Sequence, residues 1–162
     1  MNEPCLILTT GGTIDKVYFD AKSTYSVREP QIADVLRQAH VAETFTVQSL
    51  MRKDSLELDD ADRLQIRRAI EAAPQRRVLV THGTDTMTQT AQFLGDLEDR
   101  TIVLTGALLP ARFRDNDAIF NIGFAWAAVR ILPPGVYIAM NGGLFRPGEV
   151  RKDRELNRFV PV

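Results

Sequence analysis

The sequence predicts one α/β domain built on a mainly parallel β-sheet. Short β-branched apolar runs alternate with amphipathic helical stretches, which is the pattern of successive βαβ units. Two of these runs, residues 6–10 and 77–81, end abruptly in glycines and hydroxyl groups. Ligands of open α/β sheets bind at the carboxyl ends of the strands. We therefore expect a functional site at this edge, with Thr13 and Thr84 side by side.

Size, composition and charge exclude several classes of protein. The chain has 162 residues, 44% of them hydrophobic, so one domain can bury about two thirds of its unfolded surface. Its 20 basic and 21 acidic residues are interspersed, without the basic stripe that follows a phosphate backbone, so no nucleic-acid partner is expected. No apolar run has the length of a membrane span and no signal sequence stands out, which predicts a cytoplasmic protein without a membrane partner.

The chain offers little for redox or metal chemistry. Cys5 is the only cysteine, and its place in an apolar strand predicts a packed core thiol. The two histidines, His40 and His82, lack carboxylates at ligand spacing. We expect neither a disulfide within the chain nor a metal site.

The elements of the first half follow from changes of pattern. Residues 4–10 form the first strand, and Gly11-Gly12 allow a turn that other residues rarely make. Polar and apolar residues alternate over 14–27, which predicts an N-terminal hairpin flap carrying Tyr18 and Tyr25, a candidate lid. The next elements are a helix over 30–39, a strand over 45–51 and a helix from Asp59 to about Ala73.

The second half continues this alternation. We expect a helix over 86–97, a strand over 101–105, a polar loop over 110–117, a helix over 118–131, a strand over 135–140 and a turn-rich, charged tail. The helix over 118–131 is apolar on nearly every face. Such a helix is covered by the sheet on one side and by something else on the other. A homodimer or a dimer of dimers, with a subunit contact here, is the expected assembly.

The polar groups at the sheet edge fit acyl transfer. A threonine hydroxyl is a weak nucleophile and needs a base or a polarising neighbour, for which Tyr25, Lys152, Asp85 and His82 are the candidates. If Lys152 meets Asp85, the carboxylate favours the protonated lysine unless a substrate ammonium group neutralises that carboxylate. Backbone N–H groups beside the glycines could form an oxyanion hole. Nucleotide binding fits less well, because the chain lacks a dinucleotide fingerprint and a phosphate loop.

Each of these residues alone has a simpler interpretation. Asp85 could cap the following helix, Ser55 could start one, Lys152 could be a solvated surface lysine and Tyr25 could be a packing residue. His82 is more often a hydrogen-bonded structural residue at such a turn than a catalytic base. Only the joint occurrence of these residues favours a catalytic site.

Two motifs resemble those of a known family. Thr10-Gly11-Gly12-Thr13-Ile14 and His82-Gly83-Thr84-Asp85-Thr86-Met87 are similar to the two active-site motifs of bacterial-type L-asparaginases, in the same order and at similar separation. The agreement extends along nearly the whole chain, through residues 22–27, 105–107, 115–121 and 149–152. The chain thus resembles the N-terminal, catalytic domain of that family.

The resemblance implies a fold, an activity and a set of site residues. The fold would be a three-layer α/β/α sandwich of flavodoxin-like appearance, and the activity would be cofactor-independent hydrolysis of L-asparagine, or of L-glutamine, to the acid and ammonia. Thr13 would pair with Tyr25, while Thr84, Asp85 and Lys152 would form a second catalytic group; the threonine that attacks first is left open. The substrate-binding set implied is Gly12, Ser55, Glu57, Gly83, Thr84, Asp85 and Ala107.

Within that set the resemblance implies particular contacts. Ser55 would bind the α-carboxylate of the substrate, Asp85 its α-ammonium group, and the carbonyl of Ala107 the departing amide. Glu57 stands where the family more often has an aspartate.

Residues 1–162 correspond to the N-terminal domain alone. Typical members of the family carry a C-terminal domain, which contributes polar residues to the partner subunit's site. We expect a natural short form or a chain cut at the domain boundary, lacking the acidic residue that would support Thr13 and Tyr25. The alternative to an enzyme is an amino-acid-binding module or a subunit of an amidotransferase.

Overall fold

The computed structural model describes residues 3–15, 30–109 and 115–162. Its α-helices are α1 (Gln31–Gln38), α2 (Asp60–Ala72), α3 (Met87–Phe93) and α4 (Ala118–Ile131). The large sheet contains β1 (Cys5–Gly11), β2 (Phe45–Lys53), β3 (Arg77–Thr81), β4 (Thr101–Thr105), β5 (Gly135–Met140) and β6 (Gly143–Phe145). A separate hairpin is formed by β7 (Val150–Asp153) and β8 (Arg158–Pro161).

The large sheet has the strand order β2-β1-β3-β4-β5-β6. Its first five strands run parallel, and β6 pairs antiparallel with β5. Thr9 of β1 lies opposite Thr81, the last residue of β3, so β1 continues two residues further at the same edge of the sheet. The predicted parallel-rich sheet is confirmed, and the residues that follow β1 and β3 lie at one edge.

Helices cover both faces of the sheet. Val78 and Val80 of β3 belong to one apolar cluster with residues of α2 and α3. Leu79, which points the opposite way because side chains alternate along a strand, belongs to a second cluster with residues of α1 and α4. The β7–β8 hairpin joins the first cluster through Val150 and Phe159. These three layers confirm the predicted α/β/α architecture.

Acidic residues start α2 as the sequence predicts. The Asp59 carboxylate accepts a hydrogen bond from the Asp62 backbone N–H at 2.9 Å, and the Asp62 carboxylate accepts one from the Asp59 N–H at 3.1 Å. This reciprocal capping satisfies N–H groups that have no partner within the helix.

Helix α4 occupies the predicted range and is only partly covered. Its buried side faces the sheet, whereas Ile119, Phe120 and Ile131 are 58%, 62% and 80% exposed. The predicted apolar character on several faces is therefore confirmed. Among the described residues, no helix has the length and apolarity needed to cross a lipid bilayer. Cys5 is buried as predicted, and that burial raises the pKa of its thiol to about 12.

Some expectations differ from the structure. Helix α3 ends at Phe93 and not near residue 97, because Gly95 donates from its N–H to the Gln92 carbonyl in a terminal turn. The tail beyond residue 140 contains β6, β7 and β8, which the turn residues and charges of this segment did not indicate. The flap predicted over 14–27 lies outside the described residues from position 16 onward, including Tyr18 and Tyr25.

Candidate active site

Two glycines bring the ends of β1 and β3 into contact. Gly12 has φ +89°, a left-handed conformation that side chains other than hydrogen disfavour. A Cβ built on Gly12 would lie 2.6 Å from the backbone nitrogen of Gly83, and a Cβ on Gly83 would lie 2.6 Å from the Ser55 Oγ. Both glycines are therefore needed for this close approach, which joins three of the predicted substrate-binding residues.

Thr13 lies directly beyond this contact. It begins a one-turn 3₁₀ helix, Thr13–Asp15, in which the Asp15 N–H donates to the Gly12 carbonyl at 3.2 Å. The Asp15 carboxylate in turn accepts from the N–H of Gln31, at the start of α1, at 3.1 Å. Burial raises the pKa of Asp15 to about 6, against the opposing effects of that hydrogen bond and of the Arg52 charge. The turn that holds Thr13 is thus tied to α1.

The second predicted catalytic group, Thr84, Asp85 and Lys152, is in direct contact in the structure. The Lys152 Nζ donates to the Thr84 Oγ1 at 2.8 Å and lies 2.9 Å from the Asp85 Oδ1. Thr84 is 6% exposed, and the side chains of Lys152 and Asp85 are 17% and 30% exposed. The ammonium group is therefore shared between a hydroxyl and a carboxylate at the edge of the sheet. Lys152 reaches this position from β7.

Ser55 lies behind the second motif and is held by its backbone. It begins the 3₁₀ turn Ser55–Glu57, in which the Leu56 N–H donates to the Asp54 carboxylate at 3.1 Å. The Thr86 Oγ1 donates to the Ser55 carbonyl at 2.7 Å. Ser55 is 2% exposed, whereas Glu57 of the same turn is exposed.

Ala107 follows β4 in a segment anchored by Asn121 of α4. The Asn121 Nδ2 donates to the Gly106 carbonyl at 3.0 Å and to the Asp117 carboxylate at 3.0 Å. Asp117 also accepts from the Leu108 N–H at 2.9 Å. Ala107 itself is 1% exposed. This anchoring gives a structural reason for the agreement of residues 115–121 with the family.

His82 is enclosed and fully bonded. Its Nδ1 lies 2.7 Å from the Gly83 carbonyl oxygen, and its Nε2 lies 2.8 Å from the Thr90 Oγ1. Burial is the main cause that lowers the pKa of His82 to about 4, with the nearby Arg63 charge acting in the same direction. The predicted structural interpretation of His82 agrees with this burial and bonding, because a catalytic base must reach the substrate.

The structure also brings in a residue that sequence reasoning missed. The Arg154 guanidinium lies 3.7 Å from the Asp85 Oδ1, so Asp85 faces two cations. Arg154 lies in the turn that follows β7, and its only signal in the sequence is its position two residues after Lys152. Tyr25 lies outside the described residues. Among those described, no three acidic, histidine or cysteine side chains converge as a metal site.

This arrangement contains groups that can support acyl transfer. A hydroxyl bonded to a lysine can be activated as a nucleophile, and backbone N–H groups around glycines can approach a carbonyl oxygen. A carboxylate at the same edge can bind a substrate ammonium group.

Comparison with known proteins identifies the family. The family model described as "Asparaginase, N-terminal" matches residues 5–158. The chain belongs to the asparaginase family. The recognition made from the two motifs is thereby confirmed.

Individual asparaginases match over nearly the whole chain. The L-asparaginase of Thermococcus kodakarensis is 30% identical over 167 residues, which cover 97% of this chain and 50% of that protein. The glutaminase-asparaginase of Pseudomonas fluorescens biotype A is 29% identical over 172 residues, which cover 97% and 46%. The crystal structure of L-asparaginase I from Vibrio cholerae superposes with a TM-score of 0.85 at 25% identity, covering 99% and 52%. The chain spans about half the length of these asparaginases.

Proposed function

We propose that this chain is the catalytic domain of an L-asparaginase, hydrolysing the side-chain amide of L-asparagine to L-aspartate and ammonia. The observation that carries the proposal is the Lys152–Thr84–Asp85 group beside the contact of Gly12 with Gly83. L-Glutamine is a second substrate under this proposal, since one methylene changes discrimination by only about 1–3 kcal/mol. Under this proposal the reaction uses no metal or organic cofactor.

The proposed chemistry passes through a covalent intermediate. A threonine oxygen bonds to the amide carbon while its proton passes to the paired base, and the C–N bond breaks as that proton leaves with ammonia. Water then hydrolyses the ester and restores the hydroxyl. The two candidate nucleophiles are Thr84, which accepts a hydrogen bond from Lys152, and Thr13, for which the family resemblance implies Tyr25 as the partner. The proposal leaves the order of attack to experiment.

Substrate binding is proposed to tune the second group. Ser55 would bind the α-carboxylate and Asp85 the α-ammonium group, with Gly12, Gly83 and the Ala107 carbonyl near the amide. Glu57 is exposed in the turn that begins at Ser55 and would contact the substrate at the rim of the site. An ammonium group on Asp85 would weaken that carboxylate's hold on Lys152 and make the lysine a better proton acceptor.

A second candidate function is an amino-acid-binding module or an amidotransferase subunit without turnover of its own. Ser55 and Asp85 would hold the α-carboxylate and the α-ammonium group of an amino acid in the same way whether or not its amide is cleaved. A module of this kind would bind L-aspartate or L-asparagine without releasing ammonia. Thr13→Ala would leave its affinity unchanged.

The deciding experiment measures ammonia release from L-asparagine and from L-glutamine by the wild-type chain, Thr13→Ala and Thr84→Val. Turnover by the wild type that both substitutions abolish supports the proposal. Binding of L-aspartate by calorimetry, with no ammonia above the buffer background, favours the binding module instead.

We further propose self-association through α4, giving a homodimer or a dimer of dimers. The exposed side chains of Ile119, Phe120 and Ile131 support a second copy as the occupant, since identical apolar stripes can pack on each other about a twofold axis. The cytoplasmic location stays a prediction from the sequence, tested by cell fractionation.

A further inference from the structure

A chain of hydrogen bonds runs behind the candidate site from α2 to the second motif. The Arg63 Nε donates to the Thr90 Oγ1 at 3.2 Å, the Thr90 Oγ1 lies 2.8 Å from the His82 Nε2, and the His82 Nδ1 lies 2.7 Å from the Gly83 carbonyl oxygen. Arg63 is 6% exposed, and Thr90 and His82 are fully buried. These interactions are protected from competing water and are correspondingly strong.

The two ends of this chain, together with a neutral His82 ring, determine the hydrogen positions between them. A guanidinium can only donate and a carbonyl can only accept. The Thr90 oxygen therefore accepts from Arg63 and gives its own hydrogen to the His82 Nε2. The other ring nitrogen, Nδ1, then carries the ring proton and donates it to the Gly83 carbonyl. The low pKa of His82 agrees with the neutral ring that this order requires.

The guanidinium at the far end is itself held in place. The Arg63 Nη1 lies 3.0 Å from the Asp60 Oδ1, and the Nη2 donates to the Gln89 Oε1 at 3.1 Å. Both terminal nitrogens and the Nε of Arg63 thus have partners on α2 and α3. The relay, defined as Arg63, Thr90 and His82, connects two helices to one peptide group of the motif.

We propose that Arg63 and Thr90 are positioning residues that act through His82 to orient the Gly83–Thr84 peptide for catalysis. Because a trans peptide is planar, fixing the Gly83 carbonyl oxygen also fixes the Thr84 N–H, which points in the opposite direction. That peptide touches Gly12 and Ser55 through Gly83 and continues into Thr84, whose hydroxyl accepts from Lys152. A rotation of the plane would move the candidate oxyanion donor and the hydroxyl together.

The kinetic part of this inference rests on the proposed asparaginase function, and a matched pair of substitutions tests it. Thr90→Val keeps the shape and removes the hydroxyl, whereas Thr90→Ser keeps the hydroxyl. We expect Thr90→Val to lower kcat by about tenfold or more with KM changed less than about threefold, because geometry in the transition state is lost. Thr90→Ser should retain kcat within about threefold. Equal kcat in Thr90→Val and wild type would overturn the proposal.

A second pair tests the far end of the relay. Arg63→Met removes the donor, and Arg67→Met removes a guanidinium one turn later on α2, where it pairs with Glu71 and Asp96 and touches none of the relay. Only Arg63→Met should lower kcat. A similar loss in both variants would indicate a general effect of α2 stability and contradict a positioning role.

A spectroscopic measurement separates this inference from the proposed activity. Nitrogen-15 NMR of the imidazole at neutral pH should find the neutral His82 ring protonated at Nδ1 in the wild type. In Thr90→Val, but not in Thr90→Ser, the backbone amide resonance of Thr84 should shift. A ring protonated at Nε2 would refute the relay even if ammonia is released. A wild type that releases no ammonia, yet has the Nδ1 proton and the Thr84 shift, would refute the activity and retain the positioning.

Discussion

Gly12 and Gly83 approach so closely that a methyl group on the first would lie 2.6 Å from the backbone nitrogen of the second. Gly12→Ala must relieve this overlap and also adopt φ near +89°, so we expect a loss of about 2 kcal/mol or more in the free energy of unfolding. Gly123→Ala is the control, because outside its own helix backbone a Cβ there meets no heavy atom of the described residues within 4 Å, and alanine favours the helix by about 1 kcal/mol. Urea unfolding of both variants checks these opposite signs.

Replacing Thr81 and replacing Thr105 should have opposite effects on the free energy of unfolding. The Thr81 Oγ1 is buried without a hydrogen-bond partner in the described part of the chain, while the Thr105 Oγ1 donates to the Ala139 carbonyl at 2.9 Å. Thr81→Val should therefore stabilise the protein by about 1 kcal/mol and Thr105→Val should destabilise it by about 1 kcal/mol. Thermal unfolding measures both. Destabilisation by Thr81→Val would contradict the assignment of an unpaired hydroxyl.

Asp15 and His82 predict how stability depends on pH. The pKa of Asp15 is raised from 3.8 to about 6 in the folded state. Its contribution to the free energy of unfolding is therefore complete below pH 3.8 and is lost as pH rises through 6. The pKa of His82 is lowered from 6.5 to about 4, so its contribution is complete above pH 6.5 and is lost as pH falls through 4. The two contributions oppose each other between pH 4 and 6.

Asp15→Asn removes one of these two contributions and keeps the oxygen that accepts from Gln31. As pH rises from 4 to 6, the free energy of unfolding of the variant should increase relative to that of the wild type by up to about 1.4 kcal/mol per pH unit. Urea unfolding at pH 4.5, 5.2 and 6 measures this difference. Parallel stability curves for the two proteins would show that Asp15 has no raised pKa.

We expect substitution of Lys152 to have the largest effect on ammonia release. Lys152→Met removes the donor to Thr84 and leaves Asp85 facing the more distant Arg154, so kcat for ammonia release should fall about 100-fold or more. Arg151→Met is the control, since its side chain is 57% exposed and pairs with Asp153. The control should keep kcat within about threefold. Equal losses in both variants would indicate a damaged hairpin rather than a missing catalytic group.

We expect the proposed self-association through α4 to be disrupted by one charged substitution. Ile131→Asp puts a carboxylate on the exposed apolar stripe, so the dimer dissociation constant should rise at least about tenfold. Val162→Asp is the control, because Val162 is 81% exposed and Ile131 is 80% exposed, but Val162 lies outside the stripe. Sedimentation velocity measures both. A wild type that is monomeric at micromolar concentration would refute the proposed assembly.

Local sequence patterns were sufficient for most of the sheet. β3 and β5 are continuous apolar runs, and α4 has the length and composition of a buried helix, so their ranges agree with the predicted ones. The glycines that follow β1 and β3 also indicated which edge carries the site. These features depend on periodicity and turn chemistry, which neighbouring residues determine.

Other features depend on distant contacts and could not be predicted in this way. β7 consists largely of charged residues and is a strand because β8 pairs with it and Val150 packs into the core. The Arg63–Thr90 bond joins residues 27 positions apart, and neither residue lies in a recognisable motif. The meeting of Lys152 with Thr84 was implied by the family resemblance, since nothing in a charged tail indicates its target.

The lysine of the candidate site is delivered by a two-stranded hairpin outside the main sheet. The Lys152–Thr84 hydrogen bond spans 68 positions of the chain, and an isolated pair of strands is only marginally stable without the surface it packs on. Detachment of β7 and β8 exposes little apolar surface compared with opening the sheet, and such a local opening requires less free energy than global unfolding. Under the proposed asparaginase function, we therefore expect ammonia release to be lost reversibly on warming, at a temperature below that at which the main sheet unfolds.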